Sequence, residues 1–390
     1  MTPLKYRRRV LIVLPDAALG GAHAMNFRLA DALNTRGWHV DIAFLFDRHS
    51  TQHYQQVYPA VGQRSMGCRS LTDRISLPFR LGKVAADYDL VMAGLDLAAT
   101  NYSYLASRLA KKPFLAWMHI AFNEHMHTAS WFARTFSISI YRRVRMIVFP
   151  SRGARASLIS AIDKQPTDAQ WPVVQNFTES SVAAPLTKTT IVEHILSKPV
   201  LINIGRLAPQ KALDRLVRAH ARLLQQGIEH HLVFVGDGPQ RGELEAAAVA
   251  AGVSATTFFL GHLANPRSWL RNATVFALCS RYEGLPLVLL EALQEGVPIV
   301  SMDCPSGPSE ILEGGAVGLL TPAEDEAAFQ AALAKLLLSP ALCTMYAQLG
   351  RERARFYSPE RVIPIWESLL EEAIGHADHH RADCQPPTTI

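Results

Sequence analysis

The sequence predicts an α/β fold made of two doubly wound halves in tandem, each a parallel sheet flanked by helices. Three observations carry that expectation. Short, continuous apolar runs alternate with helical stretches, the pattern of strands buried on both faces in βαβ units. The pattern restarts after "VVQNF", near residues 175–200. The length, 390 residues with 49% hydrophobic and 19% charged, suits two globular domains. We place the first domain at 1–178 and the second at 179–357. A helix at 358–375 is expected to pack back on the first domain, ahead of a mobile tail at 376–390.

The elements follow in order. The run Val10–Leu14, behind a basic arm, is closed by Pro15 and Asp16. It is too short for a signal core or a membrane span and reads as a first buried strand. A helix follows near Ala22–Arg36, then the strands "HVDIAFLF", "YDLVMAG", "PFLAWMHI" and "RMIVFPS" with helical stretches between most of them. In the second half "PVLINIGR" is a strand, "ALDRLVRAHARLLQQG" a helix, "HLVFVGDG" a strand and "RGELEAAAVAAG" a helix. "TFFLGH", "ATVFALCS" and "VPIVSMD" complete the strands, and Thr178–Lys198 is poorly periodic and reads as the link. No other run approaches the roughly 18 apolar residues of a membrane span. The five cysteines show no C-x-x-C spacing, which argues against a disulfide framework or a zinc site and fits a reducing, cytoplasmic compartment.

Charge is uneven. Residues 1–178 carry 22 Lys/Arg and 11 Asp/Glu; residues 179–390 carry 17 and 23. A first half this basic faces something anionic: nucleic acid, a phospholipid surface or a phosphorylated substrate. No aromatic-plus-basic nucleic-acid motif is present and the acidic second half repels a polyanion, so no nucleic-acid partner is expected.

Ligands of open α/β sheets bind beyond the carboxyl ends of the strands, so chemistry is expected in the loops just after strands, lining a cleft between the halves. After the first strand come Gly20 and Gly21, ahead of a helix whose free N–H groups attract anions; G-x-G-x-x-G is absent. After "NIG" come Arg206 and Lys211, two cations suited to a diphosphate. "VFVGDGPQRGELE" supplies Gly236 and Gly238, where a flat ring or another backbone can come close, and Arg241, a candidate to lie along a base. His119 follows a strand of the first half, where it serves a substrate or sits in the core. Asp87-Tyr88-Asp89 is a D-x-D, but it precedes its strand and reads as polarity at the strand's leading end rather than as a metal site. In "SRYEGLPLVLLEAL" we expect a helix to begin at Gly284-Leu285. Glu283 then stands just outside its free N–H groups, and Glu291 about 10 Å along its axis at roughly 1.5 Å per residue. Carboxylates so spaced can bracket a diphosphate, with a sugar at one end and a ribose at the other.

Together "GG", "GRL…QK", "VGDGP", "SRYEGLPLVLLEAL", "GVPIV" and "GPSEIL", in this order, resemble the GT-B glycosyltransferases of the large retaining family 4. The resemblance covers nearly all of residues 8–370. It implies two Rossmann-like domains facing across a cleft and transfer of a sugar from a nucleotide-sugar donor, UDP-linked by the family's habits. It implies that Arg206 and Lys211 neutralise the diphosphate, Glu283 holds donor-sugar hydroxyls and Glu291 binds the ribose. The backbone of Gly284 and Leu285 would meet phosphate and sugar, His119 would lie near the reacting sugar, and Gly21 would line the cleft. No metal or other cofactor is implied. Where relatives often carry an acid after the Gly pair, this chain has His23. "DCPSGPSEIL" resembles the subgroup that builds bacterial surface polysaccharides and lipid-linked oligosaccharides, so a glycan or a lipid-diphosphate-linked acceptor is implied.

The stretch 127–148 mixes Trp131, Phe132 and Phe136 with Arg134, Arg142, Arg143 and Arg145. It suits an anionic membrane surface, and the expectation is a peripheral protein at the cytoplasmic face. Two other readings remain open: a GT-B nucleotide-sugar epimerase and a non-catalytic nucleotide-sugar-binding protein.

Overall fold

The computed structural model describes residues 8–122, 131–179, 185–263 and 265–382. The chain forms two compact units: Met1–Asn176 together with Pro359–Ile390, and Phe177–Ser358.

The first unit is built on strands β1 (Arg9–Leu14), β2 (His39–Phe46), β3 (Gly62–Cys68), β4 (Leu90–Ala93), β5 (Phe114–Trp117) and β6 (Met146–Val148). They lie in the order β3-β2-β1-β4-β5-β6, every pair parallel. Ile12 of β1 is in register with Ile42 and Met92 on its two sides. Val10 to Leu14 are almost wholly buried, because helices cover both faces of the sheet. Those helices include α1 (Gly21–Thr35), α2 (Gln52–Val57), α3 (Leu71–Ala85) and α4 (Ala98–Ala110), followed by Trp131–Arg143 and Arg152–Ile162. Helix α1 turns Met25, Phe27, Leu29, Ala30 and Leu33 inward, and Phe27 stacks on Tyr54 with ring centroids 4.2 Å apart.

The terminal helix, Pro359–Ala382, also belongs to this unit. Trp366, fully buried, stands edge-on to Trp117 of β5 at 4.6 Å, and Glu367 accepts from Arg36 at 2.7 Å. The helix continues through Ala382, past the expected end at 375, so the start of the expected tail is helical. The run "EEAIGHADHHRA" contains no proline, and Gly375 is accommodated inside the helix rather than ending it.

The second unit repeats the plan with β7 (Val200–Ile204), β8 (His231–Val235), β9 (Thr257–Phe259), β10 (Val275–Leu278), β11 (Ile299–Asp303) and β12 (Leu319–Pro322). The order is β12-β11-β10-β7-β8-β9, again parallel throughout. In each sheet the first strand in sequence has a neighbour on either side, so the winding reverses beside it. These reversals, β1/β4 and β7/β10, are the topological switch points at which such sheets take their ligands. Cys68, Cys279, Cys304 and Cys343 are all free thiols.

Candidate functional site

In the second unit the switch point gathers three loops. The turn after β7 carries Lys211, the loop after β10 carries Glu283, and the loop after β11 carries Ser306 and Gly307. Lys211 ends a short 3-10 turn, Pro209–Lys211, and Ala212 behind it takes a left-handed φ of 47°. The buried Cys279 thiol bonds the carbonyls of Lys211 and Ala212, 3.3 Å each, and so pins that strained corner. Gln210 binds the next loop twice: its carbonyl accepts from Arg281 N–H at 2.8 Å, and its amide donates to Tyr282 O at 2.8 Å. The result is that Lys211 Nζ meets Glu283 Oε1 at 2.6 Å, although 72 residues separate them in sequence. Ser280 Oγ donates to the same oxygen at 2.6 Å. No bond to Glu283 Oε2 occurs among the described residues. The pair is mostly buried, with 7% of the Glu283 side chain and 19% of the Lys211 side chain exposed. Arg206 stands exposed in the loop directly after β7, without an ion-pair or hydrogen-bond partner among the described residues.

The glycines of this region have a steric reason. A Cβ on Gly236 would lie 2.0 Å from the carbonyl oxygen of Gly205, and one on Gly238 would lie 2.4 Å from that of Leu207. Of the two readings of "VGDGP", close backbone approach is what the fold contains: the loop after β8 lies directly on the loop after β7. Arg241 opens the helix Arg241–Ala250, and its guanidinium is engaged by Glu245 at 2.9 Å and Asp237 at 3.5 Å.

The helix expected to begin at Gly284-Leu285 begins at Leu287, with Pro286 as its extended cap. Proline disfavours helical backbone in the residue before it, so Leu285 cannot join the helix. Gly284 and Leu285 are instead a buried loop that the β11 loop holds down. Ser306 Oγ donates to Gly284 O at 2.8 Å, and a Cβ on Gly307, whose φ is 100°, would stand 2.7 Å from Pro286 Cδ. Glu291 is half-buried in the second turn of the helix Leu287–Glu295. Sequence reasoning missed Gln210, Ser280, Ser306 and Gly307 as the residues that hold this site, although "GPSEIL" contained the last of them.

In the first unit, His119 follows β5 and is buried. Burial is the largest reason its pKa falls to about 3, with a further push from His23. Its backbone N–H donates to Asp96 Oδ2 at 3.3 Å, from the loop after β4. Burial in turn raises the Asp96 carboxyl to about 7, against the pull of the His119 and Ile120 N–H groups. Asn26 of α1 donates to Ala22 O and Gly94 O, and its amide nitrogen stands 3.4 Å from His119 Nε2. Gly21, exposed, is the first residue of α1, and His23 lies 3.6 Å from Asp16. The β1, β4 and β5 loops thus bring Asp16, His23, Asn26, Asp96 and His119 together at this unit's switch point. Asp96 had gone unnoticed in the sequence.

Asp89 of the D-x-D accepts the Arg9 N–H at 2.8 Å, tying the leading ends of β1 and β4. Among the described residues no three His, Cys, Asp or Glu cluster as metal ligands do, and no single helix is long and apolar enough to cross a membrane. In the stretch 127–148, residues 127–130 and the Phe132 side chain lie outside the description. The helix Trp131–Arg143 exposes Trp131 and Phe136, with Arg134, Arg142, Arg143 and Arg145 also at the surface.

Two doubly wound units, each with loops converging on its switch point, constitute the GT-B architecture. The family model "Glycosyl transferases group 1" matches residues 189–353, in the second unit, and "Glycosyltransferase Family 4" matches residues 19–171, in the first. The chain belongs to the GT-B glycosyltransferases of the family 4 kind. It is 31% identical over 189 residues to an exopolysaccharide phosphotransferase of Streptomyces coelicolor, covering 48% of this chain and 20% of that one. It is 30% identical over 170 residues to the amylovoran biosynthesis glycosyltransferase AmsD of Erwinia amylovora, covering 44% of this chain and 47% of the relative. The match thus spans half or less of these relatives' length. Anabaena Alr3699/HepE, solved in complex with UDP and glucose, superposes with a TM-score of 0.79 at 18% identity, over 94% of this chain and 100% of that one.

Proposed function

We propose that this protein is a retaining glycosyltransferase that moves a sugar from a nucleotide-sugar donor, UDP-linked, to a glycan or lipid-diphosphate-linked acceptor in bacterial surface polysaccharide synthesis. The observation that carries the reading is the Lys211–Glu283 pair at the β7/β10 switch point, with Arg206, unpaired among the described residues, in the same loop as Lys211. The hard step in glycosyl transfer is departure of the nucleoside diphosphate from a sugar carbon of oxocarbenium character. Fixed cations that meet the leaving charge stabilise it without reorganisation. Arg206 and Lys211 take that role, so the reaction proceeds without a metal. Glu283 divides its two oxygens: Oε1 is held by Lys211 and Ser280, and Oε2 accepts from hydroxyls of the donor sugar. The Gly284-Leu285 loop supplies backbone N–H groups to phosphate and sugar, and Glu291 takes the ribose hydroxyls. Gly236, Gly238 and Arg241 border the base.

His119, with its pKa held near 3, is neutral at cytoplasmic pH. It serves the reacting sugar as a neutral hydrogen-bonding group, and Gly21 lies near the donor or the acceptor. The similarity to AmsD supports a polysaccharide acceptor, and the UDP and glucose bound by Alr3699/HepE support the donor class. The basic first unit suits an acceptor carried at the anionic cytoplasmic face of a membrane.

The test is thermal stabilisation by UDP-, GDP- and ADP-sugars with and without EDTA, followed by turnover with the best donor. Arg206→Ala and Glu283→Gln should each lower kcat by about 10²–10³-fold, the loss typical of one electrostatic group in such a step. Wild-type turnover in both variants, or no stabilisation by any donor, refutes the assignment. Full turnover with no acceptor transfers it to an epimerase.

A further inference from the structure

Helix α3 carries two apolar stripes where a globular body uses one. Leu77, Leu81 and Ala85, spaced at i, i+4 and i+8, are fully buried. Leu71, Ile75 and Phe79 have the same spacing and are 75%, 77% and 61% exposed. At about 100° per residue the two stripes lie roughly 120° apart on the helix. The exposed one extends onto α4: a Cβ on Gly82, one turn beyond Phe79, would lie 3.4 Å from Leu109 Cβ, and Leu109 is 49% exposed. Among the described residues nothing covers this surface.

Its rim is cationic. Lys83 continues the four-residue spacing at the end of the stripe, with Arg74 on its flank; Arg80 turns away and donates to Met66 O of β3. Arg108 stands next to Leu109, and neither it nor Lys83 has an ion-pair partner among the described residues. The one carboxylate on α3, Asp73, is held low first by the Arg69 N–H and then by Ser70, with which it forms a capping box. Nearby Asp47 is already paired with Arg69. A second copy of this face would bring like charges together. An anionic lipid surface satisfies both parts at once: acyl chains receive the stripe, and headgroups receive the rim.

We propose that the α3 face, Leu71–Ile75–Phe79 with Leu109 and a rim of Arg74, Lys83 and Arg108, docks this protein on an anionic phospholipid bilayer. This rests on the reading of an acceptor at a membrane and locates the contact. The helix Trp131–Arg143 is the weaker candidate, since Trp131 and Phe136, five residues apart, point about 140° away from each other. Each Arg or Lys at such a surface strengthens binding by about fivefold, and high salt removes that share.

The experiment is flotation of the full chain with vesicles of phosphatidylglycerol and phosphatidylcholine, against phosphatidylcholine alone. Wild type should float with the anionic vesicles at low salt. L71S/I75S/F79S and R74E/K83E should each lose at least about tenfold of that partition, and W131S/F136S should keep it within twofold. All these side chains are exposed, so melting temperatures and nucleotide-sugar binding should stay at wild-type values, which separates failure here from failure of the glycosyltransferase reading. The proposal is overturned if wild type remains with the soluble fraction, if it floats equally with neutral vesicles, or if the triple variant floats as wild type does. It is also overturned if the triple variant instead abolishes a wild-type dimer in analytical ultracentrifugation.

Discussion

The bond between Lys211 and Glu283 can be tested apart from catalysis. Lys211→Met keeps the length of the side chain and removes its charge, leaving Glu283 with only Ser280 on Oε1. Removing one partner of a fully buried ion pair costs about 3–5 kcal/mol, chiefly because the other charge is stranded. Here 19% of the Lys211 side chain and 7% of the Glu283 side chain reach solvent, so part of the stranded charge rehydrates. We expect about 2.5 kcal/mol for Lys211→Met, and the same for Glu283→Gln. The double variant strands nothing, so it should cost less than either single variant, a coupling of at least about 2.5 kcal/mol. At about 2–4 °C per kcal/mol for a unit of this size, each single variant should melt roughly 5–10 °C lower. The assay is a double-mutant cycle by urea and thermal unfolding at pH 7.5 without nucleotide, repeated in 0.5 M salt. A mostly buried pair is little screened, so the coupling should survive salt. Single effects below about 0.5 kcal/mol that simply add would show that the two groups do not meet in solution.

Gly236→Ala should destabilise the second unit by at least about 3 kcal/mol, combining a disallowed φ with overlap on a neighbouring backbone. The φ is 132° and the new Cβ would lie 2.0 Å from Gly205 O. Gly242→Ala, a helical site with nothing within 4 Å, is the control and should be neutral or stabilising by about 0.5 kcal/mol in the same urea melts. A third expectation concerns acid. His230 Nδ1 donates to Ile228 O, so its bare Nε2 accepts from His220 Nδ1 at 2.8 Å, and His220 Nε2 stands 2.9 Å from Thr256 Oγ1, which itself donates to Val253 O at 3.1 Å. A second proton on His230 would remove the acceptor that His220 Nδ1 uses. Burial first, then His230 and His231, hold His220 down to about 3 from 6.5. The unfolded state therefore takes the proton first. Stability is fully present above pH 6.5 and falls as the pH drops toward 3, by about 2 kcal/mol for His220 between pH 7.5 and 5. His220→Gln, which keeps a donor and an acceptor without titrating, should flatten that slope; an unchanged slope in urea melts at the two pH values refutes the account.

The central strands were legible because burial on both faces leaves an unmistakable mark. "HVDIAFLF" is β2 residue for residue, and the runs at β7, β8, β10 and β11 lie in the predicted places. The edges were not. β3 reads "GQRSMGC", with only Met66 and Cys68 buried, and β12 reads "LLTP". These two strands have one neighbour and only partial cover, so few of their positions need to be apolar and their sequences resemble loops. The proline before Leu287 had a clear meaning that the apolar run obscured: the helix cannot extend back through Leu285, whatever the hydrophobicity of "GLPLVLLEAL".

For the candidate site, the same distinction holds between what strands impose and what loops decide. That Arg206, Lys211 and Glu283 follow strand ends could be read directly, and parallel sheets put all such loops at one edge. That β7 and β10 are neighbours could not, since it depends on which way the chain winds after β9. Adjacency of those two strands is what converts two charged residues 72 positions apart into a bonded pair. The loops then fix the details through groups with no charge: Gln210 on the Arg281–Tyr282 backbone, Ser306 on Gly284, and Gly307 beneath Pro286. A charge pair is the part of a site that composition advertises, whereas the neutral residues that hold it at 2.6 Å become visible only once the strand order is known. Glu283 shows the consequence for function, since its orientation is set by Lys211 and Ser280 together. Ser280→Ala should therefore weaken donor-sugar binding while leaving the Lys211 contact in place, by about 1 kcal/mol or a fivefold rise in KM. An unchanged KM in steady-state kinetics would mean that Lys211 alone orients the carboxylate.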